Sequence, residues 1–117
     1  MCVINAARGA VPLLPIMPIM AQLFAVMLNH GAAYQHGQPL ESQIEWDAHA
    51  KFMEALVEEG LVKLGGPLEG TPEVLLIFRA ESEDEIRQRL APDPWHRMGL
   101  LQISRIMPWT LRLGKLP

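Results

Sequence analysis

Two short stretches, residues 23–28 (LFAVML) and 74–78 (VLLIF), are apolar at every position. A strand with one wet face alternates apolar and polar residues, so runs like these read as strands buried on both faces. Any fold for this chain must therefore cover both sides of a sheet. At 117 residues there is one ordinary domain to do it with.

The remaining elements fall around these two strands. Gln22–His30 forms the first strand, and the glycines and Pro39 of residues 31–40 form a loop. Ser42 with Glu45 has capping-box spacing and predicts a helix carrying His49, Phe52, Met53, Leu56 and Val57 on one stripe. Gly60 supplies its left-handed stop. Residues 61–64 make a short strand, broken by Gly65-Gly66-Pro67, and Glu69-Gly70-Thr71-Pro72 turns the chain into the strand at 74–78. Ser82 and Glu85 repeat the capping-box spacing ahead of a second helix over 83–90, which Pro92 and Pro94 end. Residues 100–109 are the last strand.

Strand, helix, strand, strand, helix, strand is the split βαβ, or ferredoxin-like, unit. This is an α+β fold in which two helices lie on one face of a four-stranded antiparallel sheet. Each large apolar side chain removed from water contributes about 1.5–3 kcal/mol, so a second, uncovered face of such a sheet calls for a partner. The expected partner is a second copy packed sheet to sheet, with the proline-rich lead-in folding back as the alternative.

Composition narrows the function. Half the residues are apolar, the mean hydropathy is +0.13, and 10 basic against 13 acidic residues leave a formal charge of −3. That balance excludes disorder and carries no basic footprint for nucleic acid. The single cysteine, Cys2, cannot form an internal disulfide, and a cytoplasmic setting is expected. Residues 10–28 are apolar except for Gln22, but Pro12, Pro15 and Pro18 would break a spanning helix. Cleavage as a secretory signal near residues 31–33 would discard the first strand. The division expected is a flexible extension over 1–20 and one domain over 21–115, with Met20 as a candidate natural start.

Several candidate residues stand out. His49, at the end of an apolar stripe, reads on pattern alone as a core histidine before it reads as a proton carrier. Asp93, ahead of Pro94, is equally a turn opener. Gly65, Gly66 and Pro67 have neither the helix nor the Lys-Ser/Thr of a phosphate cradle and read as a tight turn, with Gly66 and Pro67 bordering a cleft. Trp95 and Trp109 read as packing residues or as walls for a flat ligand. Arg105, in the last strand, is a candidate for an anionic substrate group. His30, His36 and His49 lack the spacing of a metal site, and no metal is expected. There is no dinucleotide fingerprint or Walker sequence, so no organic cofactor is expected either.

The segments EWDAHAKFMEALVEEGLVKLGGPLEG (45–70), IRQRLAPDPW (86–95) and Ile106-Met107-Pro108-Trp109 occur in this order within residues 22–113. In that arrangement the chain resembles the YciI-like (YCII-related) family of the dimeric α/β-barrel superfamily. The resemblance implies a ferredoxin-like fold, dimerisation through the sheets and a cleft holding a catalytic His–Asp pair. By motif match the pair is His49 and Asp93. One branch of that family dehydrochlorinates a chlorinated trihydroxybenzene, so the implied chemistry is elimination or isomerisation on a small hydroxylated ring. A non-catalytic dimeric module binding a metabolite or a protein is the rival expectation.

Overall fold

In the computed structural model, residues 21–117 are described, and the expectations for the first 20 residues, including Met20 as a start, lie outside them. Strand β1 (Gln22–His30) is followed by a single 3-10 turn (Leu40–Ser42), helix α1 (Trp46–Glu58), β2 (Val62–Pro67) and β3 (Glu73–Ala80). Helix α2 (Glu83–Leu90), a short helix α3 (Pro94–Met98) and β4 (Leu101–Trp109) complete the chain. The sheet order is β2-β3-β1-β4 with every neighbouring pair antiparallel, the ferredoxin-like α+β arrangement. Each helical connection skips over one strand, and so the long apolar runs occupy the two central strands, β1 and β3.

The two faces of β1 part cleanly. Phe24, Val26 and Leu28 join Leu76 and Phe78 of β3 in one core with Leu56, Ile86, Leu90 and Trp95 from the three helices. Leu23, Ala25 and Met27 pair with Arg79, Ile77 and Leu75 on the face turned away from the helices. That face also carries Leu64, about half exposed, and Trp109, which pairs with Leu23. No helix among the described residues is long and apolar enough to cross a membrane.

Local signals explain the helix ends. Gly60 has φ 84°, and Leu61 N–H donates to Leu56 O at 3.0 Å while Gly60 N–H donates to Val57 O at 3.0 Å. This is a Schellman stop at the predicted glycine. Ser82 caps α2, its Oγ accepting from Glu85 N–H at 3.1 Å, and Glu85 Oε1 in turn accepts from Glu81 N–H at 2.8 Å.

Three local expectations need correction. Ser42 does not cap α1: it lies in the 3-10 turn, and the cap position is Glu45, at φ 59° with no side-chain cap bond. The cause is Gln43. Its buried amide accepts from Gln35 N–H at 2.9 Å and donates to Gln35 O at 2.9 Å and Gln38 O at 3.2 Å, fastening the preceding loop and delaying the helix. Gly65-Gly66-Pro67 does not break β2 but continues it, paired with Leu76, Leu75 and Val74. A Cβ on Gly65 would stand 2.4 Å from Leu76 Cδ2, the tip of a flexible side chain, so a residue larger than glycine there asks Leu76 to change rotamer. Finally, Pro94 does not only end α2; it starts α3 as its first residue, with Asp93 as N-cap.

Candidate functional site

Asp93 enters the core because of where α3 begins. Its side chain caps the helix, Oδ1 accepting from Trp95 N–H at 3.1 Å, and the residue is fully buried. Opposite, the apolar stripe of α1 carries His49 inward, with 8 % of its surface exposed. The two meet across 44 residues of sequence: His49 Nδ1 lies 2.9 Å from Asp93 Oδ1 and 3.0 Å from Oδ2.

Trp95 holds this pair in place. Its indole lies flat on the His49 ring, centroids 3.9 Å apart and planes within 1°, and its Nε1–H donates to Ile44 O at 2.7 Å. One indole therefore ties α3 to the entry of α1 while fixing the imidazole plane. With Nδ1–H given to the carboxylate, the neutral His49 ring keeps its Nε2 lone pair free to accept a proton. Chemically, an imidazole held at one ring nitrogen by a carboxylate and open at the other is an arrangement that can serve as a general base.

His49 and Asp93 line a cavity of about 210 Å³ between the helices and the sheet. Leu28, Leu76 and Leu101 come to it from the strands, Trp46, Met53 and Val57 from α1. The predicted Gly66, Pro67 and Trp95 also line it. Arg105 and Trp109 do not. Simple alternation from Leu101 and Ile103 would turn Arg105 inward, but a bulge shifts the register between Met27 and Leu28. Ile103 pairs with Leu28, Arg105 with Met27 and Ile106 with Val26, so Arg105 passes to the helix-free face and Ile106 takes the core position. Trp109 follows on that same face, opposite Leu23.

Two further histidines border the cavity: His30, at the end of β1, and His96, in the first turn of α3. In the sequence His30 stands out only as a possible metal ligand, and His96 does not stand out at all. Two signals point to them. His30 continues the inward set Phe24, Val26, Leu28, and Asp93-Pro94 is an N-cap followed by a first-turn proline, which places His96 on a helix above the core. Burial, with His36 as a lesser cause, holds the His30 imidazole below its ordinary pKa. Burial also lowers that of His96, against the pull of the Asp93 carboxylate and with a further push from His49. Among the described residues no cluster of three or more His, Cys, Asp or Glu is placed to hold a metal ion.

A family model for the YCII-related domain matches residues 23–110. No curated protein matches the chain. Among solved structures, 5-chloro-2-hydroxyhydroquinone dehydrochlorinase from Burkholderia phenoliruptrix AC1100, in complex with 2,5-dihydroxybenzoquinone, is similar at 22 % identity and a TM-score of 0.48. That alignment covers 80 % of this chain and 96 % of the other. The match to the family spans three quarters of the sequence, both elements that carry the His–Asp pair and all four strands: the chain belongs to the YCII-related, or YciI-like, family.

Proposed function

We propose that this protein is a small enzyme that moves a proton on a hydroxylated ring, with His49 as the base and Asp93 as the residue that orients and charges-balances it. The observation that carries the reading is the 2.9 Å contact between His49 Nδ1 and a fully buried carboxylate, made at the wall of an apolar cavity. An apolar cavity of about 150 Å³ suffices for benzene. One of about 210 Å³, walled by Trp46 and Trp95, suits a single substituted ring.

His49 Nε2 takes a proton from a ring hydroxyl, and the freed electron pair enters the ring. In an isomerisation the imidazolium returns the proton at another ring atom. In an elimination that returned proton makes the chloride-bearing ring carbon tetrahedral, and loss of a proton from a second hydroxyl, conjugated with that carbon through a ring double bond, then expels chloride with its bonding electrons to leave a quinone, the imidazole passing the second proton to solvent. Asp93 stabilises the imidazolium in both cases.

The working unit proposed is a homodimer joined through the helix-free sheet face, where Met27, Leu64, Leu75 and Trp109 offer apolar surface. Turnover of hydroxylated and chlorinated benzenes, followed by ultraviolet absorbance and chloride release, tests the assignment. Wild type is expected to convert at least one such ring, and His49→Gln to lose that activity about 10²–10⁴-fold while melting within a few degrees of wild type. Equal rates in the two proteins would overturn the role of His49. The binding-module alternative is recognised by ligand affinity without turnover in either protein.

A further inference from the structure

The cavity is longer than its base requires. His49, Met53 and Val57 all line it, and residues i, i+4 and i+8 of one helix are spread over about 12 Å of its axis. That exceeds the length of a hydroxylated ring. The volume agrees: about 210 Å³, against about 150 Å³ for a cavity that takes benzene, leaves about 60 Å³, the share of about two water-sized groups.

Polar and apolar walls lie at opposite ends. The polar side chains gather around Trp95: His49 stacks on its ring, Asp93 accepts its backbone N–H and His96 follows it in α3. His30 reaches it through Tyr34, which stacks on His30 and meets Trp95 edge-on. The Nε2 atoms of His30 and His96 are buried without a partner, so a hydroxyl inside the cavity is left with His49. Toward the other end of α1 the wall is Met53, Val57, Val62, Gly65, Pro67 and Leu76, none of which carries a charged, hydroxyl or amide group. Gly65 puts no side chain into this space, where a Cβ would stand 2.4 Å from Leu76 Cδ2. Among the described residues of the wall, Val57, Gly65 and Pro67 alone are exposed, Val57 by 53 %. The cavity therefore meets solvent between α1 and β2.

We infer that the α1–β2 end of the cavity is a subsite for an alkyl substituent of about two carbons, carried by the ring opposite the hydroxyl that faces His49. The class the site takes is then the 4-alkylphenols and their further hydroxylated forms. This rests on reading the cavity as a substrate site for hydroxylated rings with His49 as base. A single halogen is too short to reach Val57, and a polar chain would give up its water to a wall that returns no side-chain hydrogen bond.

The test is calorimetric binding of phenol, 4-ethylphenol, 4-butylphenol and 2-ethylphenol to the full chain. Each carbon transferred from water into the subsite should tighten binding about fourfold, so wild type should bind 4-ethylphenol about tenfold more tightly than phenol. Less should be gained per carbon in 4-butylphenol, whose end emerges beside Val57. 2-Ethylphenol has the same apolar surface but carries it next to the hydroxyl, and it should gain little. Val57→Phe and Gly65→Val narrow the subsite from the helix and from the strand, and each should bring the 4-ethylphenol to phenol ratio close to one. His49→Gln should keep that ratio, because the alkyl contacts are separate from the base. Equal affinity of wild type for the two ethylphenols, or a ratio that survives both narrowing substitutions, overturns the subsite and leaves the His49 reading standing; the isomers decide this in wild type alone, whatever the variants' stability. The expected ratios without turnover of any ring would overturn the base and leave the subsite. Absence of binding by every ring overturns both.

Discussion

Replacing Asp93 separates its two roles, because one carboxylate oxygen caps α3 while both approach His49. Alanine removes everything at once. The lost N-cap costs about 1 kcal/mol, and leaving His49 Nδ1–H buried without an acceptor costs about 1–3 kcal/mol more. The sum, about 2–4 kcal/mol, corresponds to a fall in Tm on the order of 10–20 °C for a domain near 100 residues. Asparagine behaves differently. Its oxygen can keep the Oδ1 position and the cap, asparagine capping helices as well as aspartate, while its NH2 takes the Oδ2 position, 3.0 Å from His49 Nδ1, and donates to that nitrogen, moving the proton of the neutral ring to Nε2. Stability should then fall by about 1 kcal/mol or less. Activity should fall far more, about 10²–10⁴-fold, because the negative charge that stabilises the imidazolium is gone. Thermal denaturation gives the first quantity and turnover of a hydroxylated ring the second. Parallel losses of stability and activity in the two variants, or an Asp93→Ala protein as stable as wild type, would refute the division of labour.

Other outcomes follow from the packing and the charges. Gly31→Ala should destabilise by about 1–3 kcal/mol or prevent folding, since its Cβ would stand 2.2 Å from Gly99 O, a backbone atom that cannot step aside; chemical denaturation measures this. Gly66→Ala meets nothing within 4 Å and should fold like wild type by the same measurement. Folded-state pKa values of His30 and His96 lie below the ordinary 6.5, so below that pH the unfolded chain binds more protons than the folded one. Stability conferred by the neutral rings is therefore full above pH 6.5 and lost as pH falls beneath it; Tm measured from pH 7.5 to 5.5 should decline, and less steeply in His96→Leu. A charge on the helix-free sheet face, Met27→Glu, should shift sedimentation from dimer to monomer with the far-ultraviolet spectrum kept.

The fold was readable because its strongest signals are local and agree with one another. The apolar runs of β1 and β3, Gly60 and the Ser82–Glu85 cap each specify an element, and their order leaves few topologies. What escaped depends on contacts between distant residues. Gln43 delays α1 by bonding to backbone at Gln35 and Gln38, a role that no helix signal within α1 announces. Gly65 and Gly66 look like a break until β3 lies beside them and pairs with them through Leu76 and Leu75. The bulge in β4, where Ser104 is the extra residue against Met27 and Leu28, reverses which face Arg105 takes, and a bulge is a property of two strands together. At the site, His49 and Asp93 were singled out by motif match, whereas spacing alone left each with an ordinary structural reading. The unpaired nitrogens of His30 and His96 are visible only once the surrounding core is assembled.

The central claim is that Asp93 holds the proton of the neutral His49 ring at Nδ1 and leaves Nε2 free at the cavity. Long-range proton–nitrogen correlation spectra of the histidines read this directly. The account predicts a protonated Nδ1 and a bare Nε2 for neutral His49, with the Nε2 resonance moving on addition of 1,2,4-trihydroxybenzene while that of exposed His36 stays in place. A neutral ring protonated at Nε2 in the wild-type protein, or an Nε2 resonance indifferent to the ring compound, would contradict it.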